Sequence, residues 1–246
     1  MKIIASDGFK VKLILFISLF TIIGGISAAS VISYLNSAVD ASVGNPKYRT
    51  VIIDAGHGGP DGGTSADDGT LEKDLNLQIS LKLNEFLKAM GINTVMIRTE
   101  DVSIHDDGAK TIREKKVSDI RNRLSVVNNT DNSIFVSIHQ NHFSQPKYKG
   151  LQVFYSKNNP ESRSLADSVR QAVITDFQPD NSREIKQSGS DIYLLYHAQF
   201  PAVMVECGFL SNYEETQNLK DENYQRKLAF FIALGIMDFI NNTEAV

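Results

Sequence analysis

Val51-Ile52-Ile53-Asp54-Ala55-Gly56-His57-Gly58-Gly59-Pro60-Asp61-Gly62-Gly63 is the stretch on which the fold turns. Its apolar opening reads as a buried strand, and the glycine cluster that ends it reads as a loop. Behind the loop, Leu71, Leu75, Ile79, Leu83, Leu87 and Met90 recur at helical spacing until Gly91 supplies a C-terminal stop. Residues 94–97 then form a second strand. Downstream the alternation continues: a basic-flanked helix over 115–128, strands over 134–138 and 151–155, a helix over 161–177, a strand over 202–205 and a closing helix over 223–240. Strand alternating with helix predicts an α/β fold, a mostly parallel twisted sheet with helices on both faces. There is no internal repeat.

Upstream, the chain changes character. Residues 13–39 carry no charge and follow Lys10 and Lys12. A positively flanked apolar span of that length reads either as a membrane anchor, which needs roughly 20 apolar residues, or as a signal peptide cleaved near Ser27-Ala28-Ala29. Either reading sends the rest of the chain out of the cytoplasm. The expected organisation is residues 1–47 as export segment plus linker and residues 48–246 as a single domain.

The whole chain of 246 residues is 42% hydrophobic and 22% charged, enough to bury a substantial core. Its one cysteine, Cys207, can form neither an internal disulfide nor a thiolate metal site. The formal charge is −4, divided as +3 over the first fifty residues and −7 over the remainder. An acidic domain lacks the basic field that phosphate backbones require, so nucleic acid is not the expected partner.

Three of the apolar strands lead into residues suited to metal or proton chemistry: His57 after the first, His139 after residues 134–138, and Glu206 after residues 202–205. In open α/β sheets ligands sit beyond the carboxyl ends of the strands, where side chains far apart in sequence converge. A hydrolytic zinc site takes three protein ligands and leaves a position open. Glu72, in the first turn of the helix behind the glycine loop, is the natural third ligand; alone, a carboxylate there is also what the helix dipole favours. The glycine cluster lacks the Gly-Lys-Ser/Thr ending of a phosphate loop.

Four motifs, in this order, carry a resemblance: Ile53-Asp54-Ala55-Gly56-His57-Gly58-Gly59, Leu71-Glu72-Lys73-Asp74, Ser137-Ile138-His139-Gln140-Asn141 and Val205-Glu206-Cys207-Gly208-Phe209-Leu210-Ser211-Asn212. Together they resemble the zinc-dependent N-acetylmuramoyl-L-alanine amidases of the amidase-3 family, over roughly residues 49–241. The resemblance implies Zn2+ held by His57, Glu72 and His139, with Glu206 as catalytic carboxylate. It implies peptidoglycan as substrate, cut between the lactyl group of muramic acid and L-alanine. Gly-Pro-Asp-Gly-Gly after His57, the loop 107–113 and the short N-terminal apolar segment look most like the germination-specific spore-cortex branch, which works with a deacetylase to make muramic-δ-lactam. That branch suggests an accessory lipoprotein or deacetylase as partner and the cell wall or cortex as location. His142 departs from the family, most members having a small residue there, and is expected to line the site without ligating.

Other residues carry two readings each. Asp54 either orients His57 or fixes the loop backbone. Asn141 either binds substrate or caps a turn. The six basic residues between 110 and 123 read as a solvated helix face ahead of a glycan-carboxylate contact. His105 reads as solvated, His197 as packing or surface ahead of cleft, and Cys207 as core ahead of nucleophile. A zinc carboxypeptidase or deacetylase would use the same ligands, and a silent wall-binding protein would be expected to lose one of them.

Overall fold

In the computed structural model residues 47–243 are described; the apolar span over 13–39 lies outside them. Among the described residues no helix is long and apolar enough to cross a membrane. The described residues form one compact unit. Six strands, β1 (Thr50–Ala55), β2 (Asn93–Met96), β3 (Ser133–Asn141), β4 (Gln152–Tyr155), β5 (Lys186–Gln187) and β6 (Ala202–Phe209), make one sheet in the order β2-β1-β3-β6-β4-β5. All neighbours are parallel except β4 and β6. Among the described residues six helices accompany them: α1 (Glu72–Ala89), α2 (Ile112–Asn128), α3 (Glu161–Asp176), α4 (Tyr193–His197), α5 (Tyr213–Lys220) and α6 (Glu222–Asn241). The expected α/β architecture is thus observed.

Alternation along the strands sorts side chains to two faces. Val51 and Ile53 of β1, Val136 and Ile138 of β3, and Val203 and Val205 of β6 pack against Leu75, Ile79 and Leu83 of α1, Leu165 and Val169 of α3, and Leu228, Ile232 and Ile236 of α6. The opposite face is smaller: Ile52, Phe135 and Ala202 meet Val127 of α2 and Leu194 and Leu195 of α4.

Several boundaries differ from the sequence-based expectation. β3 and β6 run three and four residues past the apolar runs at 134–138 and 202–205, because Gln140, Asn141 and residues 206–209 continue the parallel pairing, with an irregularity between His139 and Asn141. His139 and Glu206 therefore sit within strands, directly opposite each other. α2 starts at Ile112 rather than 115. The Thr111 hydroxyl accepts from the Glu114 amide at 3.2 Å, and the Glu114 carboxylate accepts from the Thr111 amide at 2.9 Å, a reciprocal N-cap. The short elements α4, α5 and β5 have no periodicity long enough to read.

Candidate metal centre

The site lies where β1, β3 and β6 reach their carboxyl ends and α1 begins. Glu72, the first residue of α1, is 3% exposed and bridges two imidazoles. Its Oε1 is 2.9 Å from Nδ1 of His139 and its Oε2 is 3.2 Å from Nε2 of His57. Backbone amides of Thr64 and Gln140 donate to the same carboxylate at 2.8 and 3.1 Å, and the Asn76 amide donates to its Oε1 at 3.3 Å. The histidine rings meet edge to face, their centroids 5.0 Å apart. One donor atom from each of His57, Glu72 and His139 lies within 4.8 Å of the others, a set able to hold a metal ion.

Electrostatics follow from this crowding. Burial works against a charged His57 ring, but hydrogen bonds to Asp61 and Glu72 outweigh it and raise its pKa to about 9. Burial likewise opposes ionisation of Glu72, and the two histidines outweigh it, so its carboxyl lies far below the usual range. Glu206 behaves in the opposite way. Burial pushes it up to about 7 with no cation in direct contact, and its Oε2 is a buried oxygen without a hydrogen-bond partner. Buried polar atoms are normally paired, and this oxygen, like Gln140 Oε1 nearby, has no partner among the described residues.

The surrounding chain is shaped to make room for these three side chains. A Cβ at Gly56 would run into the His139 ring. Gly63 has φ +69°, and a Cβ there would lie 2.5 Å from Glu72 Oε2 and 2.7 Å from His57 Cδ2. Two imidazoles and one carboxylate are a donor set used by hydrolytic zinc sites, so these residues fit that ion. A groove of about 270 Å³, lined among others by His57, Asp61, His139, Ile192, Tyr193 and Met204, leads to them. A larger cavity of about 570 Å³, lined by Tyr148, Phe177, Arg183 and Tyr224 among others, contains neither histidine nor cysteine.

A match to the family model described as N-acetylmuramoyl-L-alanine amidase spans residues 51–238. The chain belongs to that family. It is 30% identical over 191 residues to the germination-specific N-acetylmuramoyl-L-alanine amidase of Bacillus subtilis (strain 168), covering 78% of this chain and 79% of the relative. Among solved structures it resembles the CwlD amidase of Clostridioides difficile, determined in complex with the GerS lipoprotein, with TM-score 0.75 and 41% identity over 78% of this chain and 98% of that one. An N-acetylmuramoyl-L-alanine amidase from Clostridium difficile 630 matches with TM-score 0.69 and 30% identity, over 80% and 98% of the two chains. This amidase therefore acts on peptidoglycan.

The remaining candidates find other places. Asp54 does not reach His57; it is buried against Arg123 and accepts from Ser137 Oγ at 2.7 Å. The carboxylate on His57 Nδ1 is Asp61, at 2.9 Å, which the sequence reading passed over as part of a glycine loop. The basic run is not simply a solvated face, since Arg123 is 3% exposed and donates to the carbonyls of Ala55 and His57 at 3.0 and 2.7 Å. His142 is exposed past the end of β3. His197 is exposed among Tyr193 and Tyr196, and His105 pairs with Ser103 Oγ at 2.9 Å. Cys207 is fully buried in the core.

Proposed function

We propose that this amidase is a zinc-dependent hydrolase of the bond between the lactyl group of N-acetylmuramic acid and L-alanine, with His57, Glu72 and His139 as metal ligands and Glu206 as proton carrier. The observation that carries the reading is the convergence of three metal donors beside a buried, unpartnered carboxylate oxygen. A zinc ion held by these donors supplies Lewis acidity, polarising a carbonyl and easing deprotonation of water. Glu206 takes a proton from the attacking water as its oxygen adds to the lactyl carbonyl carbon. The same carboxyl then gives that proton to the departing L-alanine nitrogen as the carbon–nitrogen bond breaks. Gly56 and Gly63 leave room for the His139, Glu72 and His57 side chains to converge.

The likeness to a germination-specific relative supports a narrower assignment to spore-cortex peptidoglycan, where removal of the stem peptide precedes muramic-δ-lactam formation with a deacetylase. Residues 1–47 serve as signal peptide or membrane anchor, placing the domain outside the cytoplasm. The complex of the Clostridioides difficile relative with a lipoprotein supports an accessory lipoprotein partner here as well. Mass spectrometry of material released from purified peptidoglycan tests the reading: free stem peptides starting at L-alanine are expected. Release of single D-amino acids or of acetate instead would point to a carboxypeptidase or a deacetylase.

A further inference from the structure

His57 is held at both ends by one helix. Its φ is 62°, in the left-handed region that few side-chain-bearing residues adopt, so the loop must be tied down around it. Gly58 and Asp61 exchange backbone hydrogen bonds at 2.9 and 3.1 Å, and Arg123 of α2 donates to the His57 carbonyl at 2.7 Å. On the side-chain end, Asp61 Oδ2 lies 2.9 Å from Nδ1 of His57, while Asp61 Oδ1 is 2.7 Å from the ammonium of Lys116, also on α2. The Gly63 amide adds a longer bond to that oxygen at 3.3 Å. Lys116 and Arg123 are seven residues apart, two helical turns, and so stand on the same side of α2.

An ionised carboxylate only accepts, so the proton of a neutral His57 ring belongs on Nδ1 and the lone pair on Nε2, the nitrogen that faces Glu72. We infer that Asp61, backed by Lys116, is the positioning residue that sets the tautomer and aim of His57 toward the metal. The inference rests on the metal reading above. A carboxylate behind a metal-ligating imidazole orients the ring and raises its basicity, and its loss typically weakens metal binding roughly 10- to 100-fold. Lys116 keeps Asp61 from swinging into solvent; at 53% side-chain exposure it can be changed without opening the core.

The test uses the full-length protein, stripped of metal and titrated with Zn2+ against a chromophoric chelator. Asp61→Ala should weaken zinc binding roughly 10- to 100-fold, measured at a temperature where circular dichroism shows the metal-free variant folded. Lys116→Gln should weaken it several-fold, and Lys116→Arg should restore it. In the zinc-loaded wild type, the imidazole ¹⁵N spectrum of His57 should show a protonated Nδ1 whose proton is slow to exchange, and Asp61→Ala should lose that proton signal to solvent. Zinc affinity within twofold of wild type for both Asp61→Ala and Lys116→Gln, or an unchanged His57 spectrum in Asp61→Ala, overturns the inference. If Asp61→Ala does not fold, the Lys116 pair of variants decides it. Failure of wild type itself to bind zinc would instead overturn the metal reading, and this inference with it.

Discussion

The two faces of the sheet rest on different physics. Under α1, α3 and α6, β1, β3 and β6 present Val51, Ile53, Val136, Ile138, Val203 and Val205 to side chains that need only volume and periodicity. Toward α2 and α4 the same strands present Asp54, Ser137, His139 and Glu206 between a few apolar residues, and there every group needs a partner. Two carboxylates on that polar face mark its extremes. Asp54 is buried, but Arg123, with His139 and the Ser137 hydroxyl, outweighs burial and holds its carboxyl below the usual range. Glu206 is buried without such a cation and rises to about 7. The first carboxylate is paired within the fold, and the second has an oxygen without a partner.

The largest effect expected is at Glu206. Glu206→Gln should keep zinc and fold while losing hydrolysis by roughly 10²–10⁴-fold, since the amide cannot accept a proton; stem-peptide release measured beside metal content checks this. Arg123→Met and Leu83→Ala then separate the faces. The first strands Asp54 and frees the His57 carbonyl, so it should lose about 3–5 kcal/mol of stability and zinc affinity as well. Leu83→Ala, in the apolar core, should lose about 2–5 kcal/mol with zinc affinity intact. Denaturant melts of the metal-free proteins and zinc titrations distinguish the two.

What the sequence made legible follows the same division. Val51–Ile53, the helical spacing from Leu71 to Met90 and the apolar runs before His139 and Glu206 are local patterns, and periodicity exposes them. His57, Glu72 and His139 could be named because each lies just past an apolar run or at the start of a helical one. Asp61, Lys116 and Arg123 could not, because their partners lie 55 to 69 residues away or behind a glycine turn, and no local pattern encodes a long-range ion pair. The start of α2 was available in Thr111-Ile112-Arg113-Glu114, whose Thr and Glu form the capping box.

pH sharpens the contrast between the carboxylates in the metal-free protein. Asp54 has a lowered folded pKa, so its contribution is fully present above its unfolded value of about 4 and is lost as pH falls through the lower folded value. Glu206 has a raised one, so ionising it in the folded state carries a penalty that is absent below about pH 4.5 and complete above about pH 7. Glu206→Gln should therefore stabilise the metal-free protein by about 1–3 kcal/mol at pH 8 and leave it unchanged at pH 4. Asp54→Asn should destabilise it at pH 8. Equal shifts for Glu206→Gln at both pH values would remove the distinction. Smallest is a glycine pair: Gly63→Ala meets Glu72 and His57 and should reduce zinc affinity. Gly69→Ala, also at positive φ but with nothing within 4 Å, should cost about 1–2 kcal/mol of stability only.

The claim that the polar face converges on one metal site is tested most directly by zinc stoichiometry of the full-length protein and two histidine variants. About one zinc per chain is expected for wild type and for His142→Ala, and near-background metal for His139→Ala, because two remaining ligands hold zinc weakly. Retention of zinc by His139→Ala, or its loss from His142→Ala, would contradict the account.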